Sequence, residues 1–213
     1  MTALDLSADA GLIAILLVTS NICLGLLIAV RYSPRRLWPH RQFNIFAVHQ
    51  WTAHLLLASI AVHILLLFFL PRPHWRAVDV FVPLHSPVQP VENTIGAASV
   101  YLVVVVVLTS YFRLQLGRRR WKLFHFLVYA AAIGIFSHGL LANPQLTNAP
   151  IDPLDAEKLL VEFCFLVVTL MTAWALRYRL RKARMQKGSA QHAQSLLTAE
   201  SFSRSLRHGS ANQ

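Results

Sequence analysis

Acidic residues are scarce in this 213-residue chain: nine Asp and Glu stand against 20 Lys and Arg, and charged residues of both signs make up only 14% of the whole. A soluble domain carries about a quarter charged residues, so an ordinary solvated surface is excluded. Cysteine is scarcer still, with Cys23 and Cys164 alone, too few and too far apart for a disulfide framework or a thiolate metal cluster. Both read as packing residues, since free cysteine behaves as a small hydrophobe. Eight glycines in all leave no glycine-rich turn of the kind that cradles a nucleotide phosphate, and no flavin or nicotinamide domain is expected in this chain.

Hydrophobic residues, by contrast, fill 55% of the positions, and they are gathered into runs. Crossing a hydrocarbon core of about 30 Å takes roughly 20 helical residues. Five runs reach that scale, near residues 11–30, 45–70, 96–112, 123–142 and 158–177. A backbone in lipid must satisfy its polar groups internally, which selects helices. The expected fold is an all-α integral membrane protein, a bundle of five transmembrane helices occupying residues 1–187, followed by a disordered basic cytoplasmic tail at 188–213 that has no apolar period.

The net charge of +11 would suggest a nucleic-acid partner if it formed one patch on a soluble fold; its placement says otherwise. Arg31, Arg35, Arg36 and Arg41 follow the first span. Arg113, Arg118, Arg119, Arg120 and Lys122 join the third to the fourth, and Arg177, Arg179, Arg181, Lys182, Arg184, Lys187, Arg204 and Arg207 follow the fifth. Only Arg72, Arg76 and Lys158 fall on the opposite side. By the positive-inside rule the N-terminus is outside and the C-terminus inside, in a multi-pass protein of the cell inner or plasma membrane, and no nucleic acid is expected. Met1 to Ala10 carries Asp5 and Asp9 and no basic residue, so the first span is read as retained rather than cleaved. Pro34 and Pro39 punctuate the first basic turn. Pro71, Pro73, Pro83, Pro87 and Pro90 hold an irregular exterior loop that is expected to be ordered against the bundle. Asp152, Asp155 and Glu157 cluster in the second exterior loop.

Five histidines fall inside the spans: His49, His54 and His63 in the second, His125 and His138 in the fourth. An ionisable side chain at that depth is costly and is a functional candidate by default. His49 and His63 are 14 residues apart, about 21 Å along a helix and about 40° around it; His125 and His138, 13 apart, are separated by about 20 Å and about 140°. Matching depths give two pairs at two levels, His49 with His125 and His63 with His138. The angular mismatch on the fourth span calls for a sideways offset of the two sites or for an irregular helix near Gly134. His54 lies about 140° from His49 and falls off the stripe, while His40, His74, His85, His192 and His208 lie in loops or tail.

Each intramembrane histidine alone could serve only to hydrogen-bond a neighbouring helix. Two facing imidazoles at each of two levels suit a porphyrin, which brings its own four equatorial nitrogens and asks the protein for two axial ligands. Zinc or di-iron would want carboxylates or thiolates as well, and Glu162 is the single acid within any of the five runs. Small residues, among them Ala53, Ala58, Ala61, Ala130 and Ala131, leave room for a flat macrocycle. Arg41, Arg113 and Lys122 on one side, and Arg72, Arg76 and His74 on the other, are candidates for its propionates, with topology as their other explanation.

With these histidines the chain resembles the ferric-reductase-like transmembrane family, which includes the membrane parts of ferric reductases and NADPH oxidases. The resemblance covers roughly residues 40 to 180. It rests on the four spaced histidines and on Trp121-Lys-Leu-Phe-His125-Phe-Leu-Val-Tyr129, similar to that family's Trp-x-x-x-His-x-x-x-Tyr pattern. The resemblance implies two haems b in series, an inner one ligated by His49 and His125 and an outer one by His63 and His138. It further implies transmembrane electron transfer to an exterior acceptor such as ferric iron, in the membrane subunit of an oxidoreductase. Since that family's full-length reductases continue into a flavin and nicotinamide domain, a separate flavoprotein reductase or membrane quinol is the expected donor. Two other readings stay open: a quinol-linked diheme cytochrome b, and a haem-binding membrane anchor that does not conduct.

Overall fold

The computed structural model describes residues 2–31, 44–142 and 156–209. Its elements are α1 (Ala3–Ala29), α2 (Ile45–Leu67), α3 (Ala77–Phe81), α4 (Pro90–Tyr111), α5 (Arg113–Leu141) and α6 (Ala156–Gly209). All are helices, and five are long and apolar enough to cross a membrane: α1, α2, α4, α5 and the Ala156–Ser189 part of α6. The protein is thus a multi-pass, all-helical membrane protein, as hydropathy predicts.

Capping sets several boundaries. Thr2 Oγ1 accepts the Asp5 N–H at 3.2 Å while Asp5 Oδ2 accepts the Thr2 N–H at 2.7 Å, a reciprocal box that starts α1 before its apolar run begins. Asn44 Oδ1 accepts the Ala47 N–H at 3.2 Å and opens α2. Pro90 sits in the first turn of α4, where its missing N–H costs nothing. Helix α4 therefore begins six residues ahead of the hydropathy estimate, because Glu92 and Asn93 depress the apolar average without breaking the helix.

Residues 1–171 form one compact unit and residues 172–213 a second. Within the first, α1 packs along α2 and α4 along α5, α1 also touches α5, and short α3 rests on α4. The buried residues of α1 include Ser7, Ala10, Ala14 and Thr19, small residues of the kind through which membrane helices approach closely. Helix α6 meets α5 where Phe165 lies edge-on to Phe136, ring centres 5.8 Å apart.

Between α4 and α5 the chain reverses with no separate loop. Gly117, at φ 72° and ψ 159°, is the one non-helical residue inside α5, in a region open only to a residue without a Cβ. Of the two ways to absorb the angular mismatch, an irregular helix near Gly134 is not the one found. Gly134 is helical, and its missing side chain instead lets Ser99 of α4 come against it. With α5 regular between His125 and His138, the angular offset of about 140° is kept, and the two histidine sites are displaced sideways from each other.

The loop after α2 is ordered, as its prolines suggest. Tyr101 donates its hydroxyl to the Phe81 carbonyl, the Leu84 N–H reaches Thr94 Oγ1 at 2.8 Å, and Asn93 Nδ2 reaches Ser86 Oγ at 2.9 Å and the Val88 carbonyl at 2.7 Å.

In the second unit α6 runs on to Gly209, taking in residues 188–209. Ala, Gln, Leu and Arg, all good helix formers, recur there, and local propensity supports the helix without an apolar stripe. Pro34, Arg35, Arg36, Pro39, His40, Arg41, Asp152 and Asp155, and the last residues of the tail, lie outside the described residues.

Candidate functional site

The two predicted histidine pairs meet. The rings of His49 on α2 and His125 on α5 have centres 6.3 Å apart, and those of His63 and His138 are 6.4 Å apart. Two metal–imidazole bonds of about 2.0 Å, with about 1.1 Å from each ring centre to its nitrogen, place ring centres about 6.2 Å apart across a shared metal. Both pairs are at that separation. The ring planes cross at 66° and 77°, so the imidazoles are not stacked on each other.

Which nitrogen faces inward follows from the outward hydrogen bonds. His49 Nδ1 lies 3.1 Å from the Asn21 carbonyl, His63 Nδ1 2.8 Å from the Ser7 carbonyl and His138 Nδ1 2.8 Å from the Glu92 carbonyl. A carbonyl only accepts, so these three rings carry their proton on Nδ1 and keep the Nε2 lone pair free. His125 Nδ1 lies 3.3 Å from Ser110 Oγ, a hydroxyl that also receives the Trp121 indole N–H at 3.4 Å. Orienting a ligating imidazole through its other nitrogen is what metal-binding histidines require. The sequence pointed to the four histidines but to none of these partners.

The partners share a construction. In the three carbonyl cases the acceptor at position i is followed by glycine at i+4: Ser7 and Gly11, Asn21 and Gly25, Glu92 and Gly96. A Cβ on Gly11 would stand 3.3 Å from His63 Nδ1, on Gly25 3.4 Å from His49 Cε1, and on Gly96 3.0 Å from His138 Nδ1. Each glycine is a notch that lets a ring lie against the backbone and reach the carbonyl one turn back. On α1 the same residues sew the helices together. Ser7 Oγ donates to the His63 carbonyl at 3.0 Å, and Asn21 Nδ2 to the His49 carbonyl and to Thr52 Oγ1, both at 2.7 Å. Helix α1 thus orients both rings of α2, and α4 both rings of α5.

His54, off the stripe as expected, is exposed beside Trp51, ring centres 6.0 Å apart. Trp121 and His125 of the resemblance motif lie together at 5.0 Å, and Tyr129 stacks on Phe126 at 6.3 Å. Of the basic candidates for an anionic group, Arg76 is already taken: its Nε and Nη2 lie 3.3 Å from the two Asp79 oxygens and its N–H 2.9 Å from Oδ2. Those bonds hold the Asp79 carboxyl below its ordinary range. Arg72, His74 and Lys122 are exposed, and Arg113 lies over the Phe46 ring at 5.1 Å.

Among the described residues no three or more His, Cys, Asp or Glu side chains converge on one point. A protein-only zinc or di-iron centre needs such a group. Imidazoles paired at this separation, three of them with Nδ1 tied to a carbonyl and Nε2 left to accept a metal, fit a metal whose remaining ligands come from a macrocycle, and the residues present therefore fit haem.

Comparison with known proteins identifies a family. The family model described as "Ferric reductase like transmembrane component" matches residues 10–136, reaching from the Gly11 notch on α1 almost to His138. No curated protein matches this chain, and no solved structure does.

Proposed function

This chain belongs to the ferric reductase like transmembrane component family, and from that premise we propose that it carries electrons across the bilayer through two haems b. His49 and His125 would hold one, His63 and His138 the other. One observation supports this most: two imidazole pairs set 6.3 and 6.4 Å apart, with at least three of the four rings turned by backbone carbonyls so that Nε2 faces inward.

Haem b held by two imidazoles supplies one-electron chemistry at iron. The protein's part is to orient and enclose. The carbonyls of Ser7, Asn21 and Glu92 fix the tautomer and hold each ring in place, and the notches at Gly11, Gly25 and Gly96 set how far each ring stands off its supporting helix. The distribution of Lys and Arg supports an exterior N-terminus, which makes His49 and His125 the inner level and His63 and His138 the outer. The membrane is then the cell inner or plasma membrane, the donor a cytoplasmic flavoprotein or a quinol, and the acceptor an exterior species such as ferric iron.

Vesicles test the conduction itself. With purified protein in the bilayer, dithionite trapped inside and ferricyanide outside, the external ferricyanide should be reduced at a rate that scales with protein and is absent from protein-free vesicles. Reduction of bound haem without loss of external ferricyanide would make the chain a non-conducting anchor. Reduction driven by added quinol with no trapped donor would assign the donor to the membrane.

A further inference from the structure

Two buried side-chain nitrogens among the described residues have no hydrogen-bond partner: Lys158 Nζ and Trp75 Nε1. Both are found at the same end of the bundle. Trp75 follows the α2 end that carries His63, and Lys158 opens α6, where Val161 one turn on packs against Gly139, the neighbour of His138. Lys158 heads the buried stripe of α6. It is 4% exposed, and the stripe continues with Val161 at 1% and Cys164 at 2%.

A lysine in this position has two ordinary ways to avoid burying its charge, and uses neither. Near a helix end the long side chain can snorkel to the membrane surface, but here Nζ has no accessible surface. Glu162 is four residues on and could pair along the helix, yet it is exposed while Lys158 turns inward, and Nζ makes no bond to it. A buried ammonium calls for an anion, and a buried indole N–H for an acceptor. Carboxylates answer both. A haem b carries two propionates, and carboxylates are least costly towards the nearer membrane surface, which for the His63–His138 level is the end where Lys158 and Trp75 sit. Of the other basic candidates on this side, Arg76 is paired with Asp79 and Arg72 and His74 are exposed.

We propose that the Lys158 ammonium, seconded by the Trp75 indole, binds the propionate carboxylates of the haem held between His63 and His138. The inference rests on the dihaem reading above. Lys158 would act as a positioning residue that also tunes this haem: a cation beside a propionate favours the reduced state, so losing it lowers the reduction potential.

The test is an optical redox titration of the purified full chain, native and as K158M, K158Q, K158R and W75F. The His63→Ala chain, which keeps only the other haem, assigns the two waves. In K158M and K158Q the His63–His138 wave should fall by about tenfold in its reduction equilibrium, 59 mV for one electron. K158R should stay near the native value, W75F should shift less in the same direction, and the His49–His125 wave should not move. Should K158M fail to fold, K158Q against K158R makes the same comparison. Native protein without haem defeats the parent reading before any variant is made. Two native haems whose waves stay put in K158Q and W75F, or shift together, overturn this proposal alone. So would a native potential that falls with added citrate while K158Q ignores it, because the lysine would then serve an exterior carboxylate.

Discussion

A chain with alanine at His63 should bind one haem where the native chain is expected to bind two. Removing that imidazole leaves His138 facing an empty position, its Nδ1 still tied to the Glu92 carbonyl, and a single axial ligand does not replace the paired clamp. The other site should survive, because its supports are separate. His49 leans on Asn21 and Gly25, and His125 on Ser110 and Trp121, and none of these touches His63. Sites without shared partners respond independently to mutation. Haem per chain, measured by pyridine haemochrome, should therefore halve, and the His49–His125 spectrum should stay as it was. Loss of both haems or of neither would break the pairing.

Valine at Gly96 should weaken the same haem by about tenfold to a hundredfold, the range for losing the outer partner of a metal ligand. A Cβ at this position stands 3.0 Å from Nδ1 and 3.1 Å from Cε1 and Cγ of His138, so the ring must leave its notch. Leaving it breaks the bond to the Glu92 carbonyl, and an unsatisfied buried donor costs about 1–3 kcal/mol. The effect should be graded around the bundle. The corresponding distances are 3.3 Å at Gly11 and 3.4 Å at Gly25, so Gly11→Val should disturb His63 less, and Gly25→Val should disturb His49 least. Haem retained through gel filtration reads the series. A Gly96→Val chain that keeps native haem content and spectrum would show that the notch does not orient the ring.

The contrast between these two substitutions shows what a sequence reveals and what it hides. His63 announces itself, since a titratable ring in a run of Ile, Val and Leu has few reasons to be there. Its support does not. Three of the four Nδ1 partners are or include backbone carbonyls, and a carbonyl has no side-chain signature; Ser7, Asn21 and Glu92 are chosen by position on the helix, not by type. A trace of the design was present, because Ser7 and Asn21 are 14 residues apart, as are Gly11 and Gly25, and as are His49 and His63 on the facing helix. That repeat becomes meaningful only once α1 is known to run against α2. The five spans were legible because lipid enforces length and apolarity, but their ends were set by capping at Thr2, Asn44 and Pro90 and by the left-handed turn at Gly117, local features that an averaged hydropathy smooths away. Lys158 was counted as one charge on the sparsely basic side; its inward orientation depends on which face of α6 packs, which periodicity alone did not reveal.

Low-temperature electron paramagnetic resonance of the oxidised, purified native chain tests the central claim most directly. Imidazoles facing each other with planes crossed at 66° and 77° should hold two low-spin ferric haems with the strongly anisotropic signals of crossed axial rings. A chain that purifies without haem, or whose haem is high-spin for want of a second imidazole, would contradict it.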